Sequence, residues 1–216
     1  MVVDVSGLKN KQMLKKLFKK PTIINHQQQL DEWEKNGRPS PPPHIVKQMA
    51  IEEYQKKFNA KILVETGTYL GDMVEAQRNR FEKIYSVELS KKLFQRAVKK
   101  FKLYPHINIL NGDSGIVLNK IVSGIEVPAL FWLDGHYSEG ITAKGVKECP
   151  VEEELQAILK SELRHIILID DARLFNGTHD YPTLDELKQL YNKSGRNYSI
   201  TIKDDIIRLT PDIINP

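Results

Sequence analysis

Five short apolar runs constrain this chain more than any other feature, because each is closed by a polar residue and followed by a helix-compatible stretch. They are residues 62–64 before Glu65, 84–87 before Glu88, 107–110 before Gly112 and Asp113, 129–133 before Asp134, and 166–169 before Asp170 and Asp171. Runs this short and nearly continuously apolar fit strands buried on both faces. The stretches between them carry helix signals. Ser90 suits the N-cap of a helix bearing Leu93, Phe94, Ala97, Val98 and Phe101, and Asp113 or Ser114 that of a helix bearing Val117, Leu118, Ile121 and Val122. Pro150 suits the first turn of a helix with Leu155, Ile158 and Leu159, and Thr183 with Glu186 forms a capping box before Leu187, Leu190 and Tyr191. Alternating strands and helices imply an α/β fold, a mostly parallel sheet with helices on both faces. Residues 198–202 and 206–209 around Lys203, Asp204 and Asp205 read as a closing antiparallel hairpin. Ligands of such sheets bind at the carboxyl ends of the strands. The acids that end these strands therefore line the edge where chemistry is expected.

Composition narrows the partners. Residues 1–20 hold six lysines against one aspartate, a surplus of five in a chain of net charge +4, so the remainder sums to −1. The basicity is an arm rather than a property of the domain, which argues against a nucleic-acid enzyme with a basic face. Met13, Leu14, Leu17 and Phe18 have helical spacing, so residues 8–20 read as a basic amphipathic helix that docks or meets an anionic surface. The proline-rich segment 37–43 is a stiff connector, dividing the chain into an arm and connector, 1–43, and a core domain, 44–216. Ile45, Met49, Ile51, Tyr54 and Phe58 suggest a helix entering that domain. No apolar run approaches the ~18 residues of a membrane span. The N-terminus is a poor secretion signal, and the single Cys149 excludes an internal disulfide or multi-cysteine metal site. A cytoplasmic location is expected.

Three constellations follow in order. E-T-G-T-Y-L-G, from Glu65 to Gly71, is a strand, a glycine turn and a helix start, in which Gly67 permits the turn and Gly71 close helix packing. A dinucleotide fingerprint wants a second glycine where Tyr69 stands, which counts against NAD and FAD. Glu88 ends the second strand, where a carboxylate can accept from a ribose diol. Asp113 can accept from an exocyclic amine and Ser114 can bond an adenine edge.

These residues resemble the cofactor half of S-adenosylmethionine-dependent methyltransferases with a Rossmann-like seven-stranded sheet. The glycine turn is similar to the E-x-G-x-x-x-G form of catechol-type O-methyltransferases, and the terminal hairpin fits that fold's antiparallel last strand. The likeness spans residues 60–210. It implies that Glu65, Gly67, Thr68, Tyr69, Gly71, Glu88, Asp113, Ser114 and Asp134 hold S-adenosylmethionine.

Asp134, after the fourth strand, and Asp170 and Asp171, after the fifth, would be neighbours at the sheet edge. Three clustered carboxylates repel unless a cation neutralises them, and an all-oxygen set suits Mg²⁺. This arrangement resembles the macrocin O-methyltransferase-like, metal-dependent sugar O-methyltransferases, and the resemblance implies that Asp134, Asp170 and Asp171 hold the metal. Arg173 is the one cation close in sequence, and a salt bridge to Asp171 is the competing arrangement. His136, two residues beyond Asp134, is the candidate general base, with Lys144 a weaker one. Residues 135–150 carry Gly135, Gly140 and Gly145 and read as a lid. Arg173, His179 and Tyr181 follow on a loop that could meet the acceptor. The expected activity is methyl transfer to a hydroxyl of a sugar, glycan or other small molecule, with a homodimer left open. The alternatives are a metal-dependent oxidoreductase or hydroxylase on the same fold, and a non-catalytic module that binds an adenosine ligand.

Overall fold

Each of the five apolar runs forms a strand in a computed structural model that describes residues 25–135 and 149–212. The strands are β1 (Ile62–Thr66), β2 (Lys83–Glu88), β3 (Ile107–Asn111), β4 (Leu130–Leu133) and β5 (Ile166–Ile169), followed by β6 (Tyr198–Lys203) and β7 (Ile206–Pro211). They make one seven-stranded sheet in the order β3-β2-β1-β4-β5-β7-β6. β1 pairs in parallel with both β2 and β4, while β7 lies antiparallel between β5 and β6. The chain reverses its direction of travel across the sheet between β3 and β4. The switch point therefore falls between β1 and β4, as ligand-binding sheets of this type require.

The helices are α1 (His26–Lys35), α2 (His44–Phe58), α3 (Asp72–Gln77), α4 (Lys91–Phe101), α5 (Ser114–Ser123), α6 (Val151–Leu159) and α7 (Leu184–Lys193). Strand side chains alternate between two cores. Leu63, Ile84, Leu130, Trp132, Ile166 and Leu168 pack with Ile51 and Tyr54 of α2, Val74 of α3 and Phe101 of α4. Val64, Val87, Phe131, Leu133, Ile167 and Ile169 pack with Leu118 of α5, Leu155 and Ile158 of α6 and Leu187 of α7. Both faces are covered at the centre of the sheet, which is why β4 and β5 show no polar alternation, whereas the edge strand β6 alternates and is largely exposed.

Thr183 and Glu186 make their capping box, and Asp113 rather than Ser114 caps α5. α1 lies within the segment read as arm and connector. Its own signal is polar: Asn25 and Gln28 close a capping box, and Trp33 is buried with its indole N–H donating to Pro39 O at 2.8 Å. Residues 8–20 lie outside the described residues.

One buried histidine is structural. The Ala129 amide donates to His165 Nδ1 at 3.1 Å, so the proton sits on Nε2, which faces Ser161 Oγ at 3.0 Å. Burial, with a smaller contribution from Arg196, holds its pKa down at about 4. The neutral ring thus joins the starts of β4 and β5.

Candidate functional site

Gly67 turns out of β1 at φ +82°, and a Cβ there would lie 2.3 Å from the carbonyl oxygen of Asp134. The glycine therefore lets the turn pass against the end of β4. Gly71 caps α3 at φ +72°, where a Cβ would meet the Phe101 ring at 2.7 Å, so this glycine lets α3 approach α4. Tyr69 lies between them at φ +49°, a left-handed conformation, with its side chain half-exposed. Its amide donates to Glu88 Oε2 at 2.7 Å, while Glu88 Oε1 accepts from the Ser90 amide at 2.8 Å. Burial raises the Glu88 pKa and these backbone amides oppose the rise. Each oxygen keeps a second lone-pair direction for a ligand. Asn111 completes this corner by donating to Glu88 O at 2.7 Å and Leu89 O at 3.1 Å.

Glu65 lies beneath the turn rather than in it. It is 2% exposed, and Ser86 Oγ bonds its carboxyl while Thr68 Oγ1 lies 2.6 Å from Ser86 Oγ. Burial pushes its pKa up to about 8, with Asp134 and Glu88 adding repulsion against the Ser86 bond. Asp113 and Ser114 divide their tasks. Asp113 Oδ1 accepts from the Gly115 amide at 2.9 Å, and the Ser114 hydroxyl turns inward to Glu154.

Glu154 did not stand out in the sequence, because it sits among the apolar positions of α6. It is 1% exposed, and burial pushes its pKa up to about 7 against bonds from Ser114 and Thr66. Its Oε1 is buried without a hydrogen-bond partner. A Cβ at Gly135 would approach that oxygen to 2.8 Å. Glu154 lines one cleft with Asp134, Gly135, Cys149, Asp170, Phe175 and Tyr181.

The three aspartates converge at the edge of β4 and β5. Asp134, Asp170 and Asp171 each offer a carboxylate oxygen, and these oxygens lie within 4.8 Å of one another. An all-oxygen set at this spacing fits a hard divalent cation, after a small closure for direct Mg²⁺ ligation at ~2.1 Å. Asp170 and Asp171 are 3% and 4% exposed, and Asp171 adopts a left-handed φ of +56°. Burial and repulsion from Asp134 and Asp171 push the Asp170 carboxyl up, against the pull of Lys47.

Arg173 is not the only nearby cation. The Lys47 ammonium of α2 bonds Asp170 Oδ2 and lies 3.8 Å from Asp171 Oδ1. Burial pulls the Lys47 pKa down, but Asp170, Asp134 and Asp171 outweigh it and the net direction is up. The bridge from Arg173 to Asp171 also forms, at 2.7 Å, and the same guanidinium nitrogen bonds Asp205 in the β6–β7 turn. His44, one turn before Lys47, has its pKa lowered by burial and by Lys47, against pulls from Asp72 and Asp134. α2 therefore presents two basic residues to the acidic edge.

Cys149 is buried, and burial pushes its thiol up to about 12, so it is no nucleophile at neutral pH. Phe175 and Tyr181 meet edge to face at 5.4 Å and form an aromatic wall of the cleft. His179 is exposed on the same loop. His136, Lys144 and most of the loop read as a lid lie outside the described residues.

No protein-family model matches the chain, and no curated protein matches it in sequence. Solved structures match over most of its length. An O-methyltransferase from Bacillus cereus in complex with SAH superposes with a TM-score of 0.56 at 13% identity, covering 94% of this chain and 97% of that one. The O-methyltransferase TomG from Streptomyces achromogenes, in complex with SAM, gives 0.56 at 11% identity, covering 88% and 93%. The SAH-bound Podospora anserina methyltransferase PaMTH1 gives 0.52 at 15% identity, covering 98% and 99%. At these identities the likeness is one of fold, the Rossmann-like seven-stranded sheet of methyltransferases.

Proposed function

We propose that the chain is an S-adenosylmethionine-dependent O-methyltransferase acting on a hydroxyl of a sugar, glycan or other small molecule, with a divalent cation at the acidic edge. The observation that carries this reading is the bond from the Tyr69 amide to Glu88 at 2.7 Å, which joins the glycine turn to the end of β2 beside the switch point. A crevice built this way suits a nucleoside: Glu88 offers free lone pairs to a ribose diol, and Tyr69 and Leu89 expose apolar surface beside it. The SAM- and SAH-bound structures of the same fold support that ligand.

S-adenosylmethionine, when bound, supplies a methyl on an already activated sulfonium, so the chain need only orient and deprotonate the acceptor. Asp134, Asp170 and Asp171 would hold the cation, which supplies Lewis acidity for the acceptor hydroxyl. Asp134 stands at the junction of the two halves, because its amide donates to Thr66 Oγ1 at 3.2 Å while its carboxylate belongs to the acidic edge. Phe175 and Tyr181 flank the acceptor side and exclude water from it. His136 is the residue assigned to take the acceptor proton, and the sugar or glycan class of acceptor rests on the sequence resemblance.

Calorimetric titration of the purified chain with SAH tests the cofactor, and a methyl-transfer assay over a panel of hydroxyl compounds tests the reaction. Micromolar SAH binding with no measurable NAD binding is expected. Preference for NAD would favour the oxidoreductase alternative. SAH binding without turnover of any acceptor would favour the non-catalytic one.

A further inference from the structure

Lys47 stands where a cation is needed. Its side chain is 16% exposed, and its ammonium bonds Asp170 Oδ2 and lies 3.8 Å from Asp171 Oδ1. The remaining Asp170 oxygen accepts from the Asp171 amide at 2.8 Å, and Asp171 Oδ1 also receives Arg173 at 2.7 Å. A divalent ion bridging Asp170 and Asp171 would share their carboxylates with the two cations already bonded to them, Lys47 and Arg173. Arg173 is anchored elsewhere, since Asp205 binds both its guanidinium and, at 2.8 Å, its backbone amide. Among the described residues the Lys47 ammonium meets only the cluster itself, Asp170 and more distantly Asp171, and its flexible stem can swing the ammonium away without moving α2.

We propose that Lys47 is the resident counter-cation of the Asp134–Asp170–Asp171 cluster, and that a divalent ion enters only by displacing its ammonium from Asp170. This rests on the metal reading above and goes beyond it in one respect. The metal-free site is closed by an internal ion pair, so loading and release of the cation are set by competition with Lys47. An ion ligated at ~2.1 Å by Asp170 would sit within a few ångströms of the Lys47 ammonium bonded to the same carboxylate, and the two like charges in this poorly solvated edge repel. Displacement also frees the Lys47 ammonium from Asp170 while α2 stays in place. The acceptor would thus meet an unpaired Lys47 ammonium once the cation is bound.

The test is Mn²⁺ binding to the full chain, followed by electron paramagnetic resonance and calorimetry, without cofactor or acceptor. Lys47→Met keeps the stem and removes the charge. It is expected to bind Mn²⁺ roughly tenfold more tightly than the unaltered chain or better, because a like charge beside the ion is gone. Lys47→Arg, whose planar fork grips a carboxylate in two places, is expected to bind more weakly than the unaltered chain. Equal or weaker binding by Lys47→Met, with the fold intact by circular dichroism, overturns the proposal while leaving the metal reading standing. If Lys47→Met does not fold, Lys47→Arg decides, and binding by it as tight as the unaltered chain's overturns the proposal. No Mn²⁺ binding by any of the three proteins up to about 10 mM, beyond the ~10⁻³ M of weak cation sites, overturns the metal reading and the competition with it.

Discussion

The Tyr69 amide donates to Glu88 Oε2 at 2.7 Å, so a residue held at φ +49° is tied to a strand end 19 residues later. The left-handed turn and the acid at the end of β2 are one unit. Glu88→Ala removes the acceptor of two backbone amides and of any ribose diol. SAH affinity should fall by about 2 kcal/mol, as loss of a charge-assisted bond implies. Glu88→Gln, which can still accept the Tyr69 amide, should lose less. Calorimetry that finds the Ala variant unchanged in affinity would remove the ribose role from Glu88.

Glu65 predicts a pH dependence of stability. Its folded pKa is raised from 4.5 to about 8 by burial. Below the unfolded value both states are protonated and it contributes no difference. Between 4.5 and about 8 the folded state keeps a proton that the unfolded chain releases, so stability falls as pH rises through this window and flattens above it. Glu154, raised to about 7, slopes the same way, so the informative quantity is the difference between Glu65→Gln and the unaltered chain. Urea titrations from pH 5 to pH 9 should show that difference growing in favour of the Gln variant. Parallel curves would mean that Glu65 is ionised in the folded state.

Asp205 ties the end of β5 to the β6–β7 turn. It is 8% exposed, it accepts from the Arg173 amide at 2.8 Å and from its guanidinium, and its carbonyl accepts from the Ala172 amide at 2.8 Å. Asp205→Ala takes the acceptor from the part-buried Arg173 amide and one of two carboxylates from its guanidinium, which keeps Asp171, a loss of about 1–2 kcal/mol. Asp205→Asn should recover part of this, since its amide oxygen still accepts from the Arg173 amide. Chemical denaturation should show the drop without a matching loss of SAH affinity, because Glu88 and the glycine turn lie on the other side of the switch point.

The strands were legible because short runs of three to five mostly apolar residues, each with an acid at or just beyond its end, fit few positions other than a doubly covered strand. Glu65, Glu88, Asp113, Asp134, Asp170 and Asp171 all lie at the carboxyl edge for that reason. Lys47 was illegible: 123 residues separate it from Asp170, and on α2 it looks like one more solvated lysine. Glu154 was hidden as the last of three successive glutamates in the first turn of α6, and the partner of Ser114 was hidden with it. α1 has no apolar periodicity, so only Asn25 and Gln28 marked its start. What local sequence conveys is period and termination. What it omits is which distant side chain neutralises a buried charge.

The acidic edge gives the most discriminating variant. Asp170 follows β5, is 3% exposed, bonds the Lys47 ammonium, and is where the proposed cation would bind. Asp170→Asn keeps the shape and an oxygen that accepts the Asp171 amide, but removes the charge that draws a cation. If the cation takes part in methyl transfer, this variant should hold SAH as well as the unaltered chain and lose turnover by about 100-fold, the upper end of the effect expected when a supporting charge at a metal site is removed. EDTA should abolish turnover of the unaltered chain, and Mg²⁺ should restore it. If Lys47 alone serves the cluster, EDTA leaves turnover intact and Lys47→Met reproduces the loss seen in Asp170→Asn. The two arrangements predict opposite results for the same pair of measurements, since one needs Lys47 to leave Asp170 and the other needs it to stay.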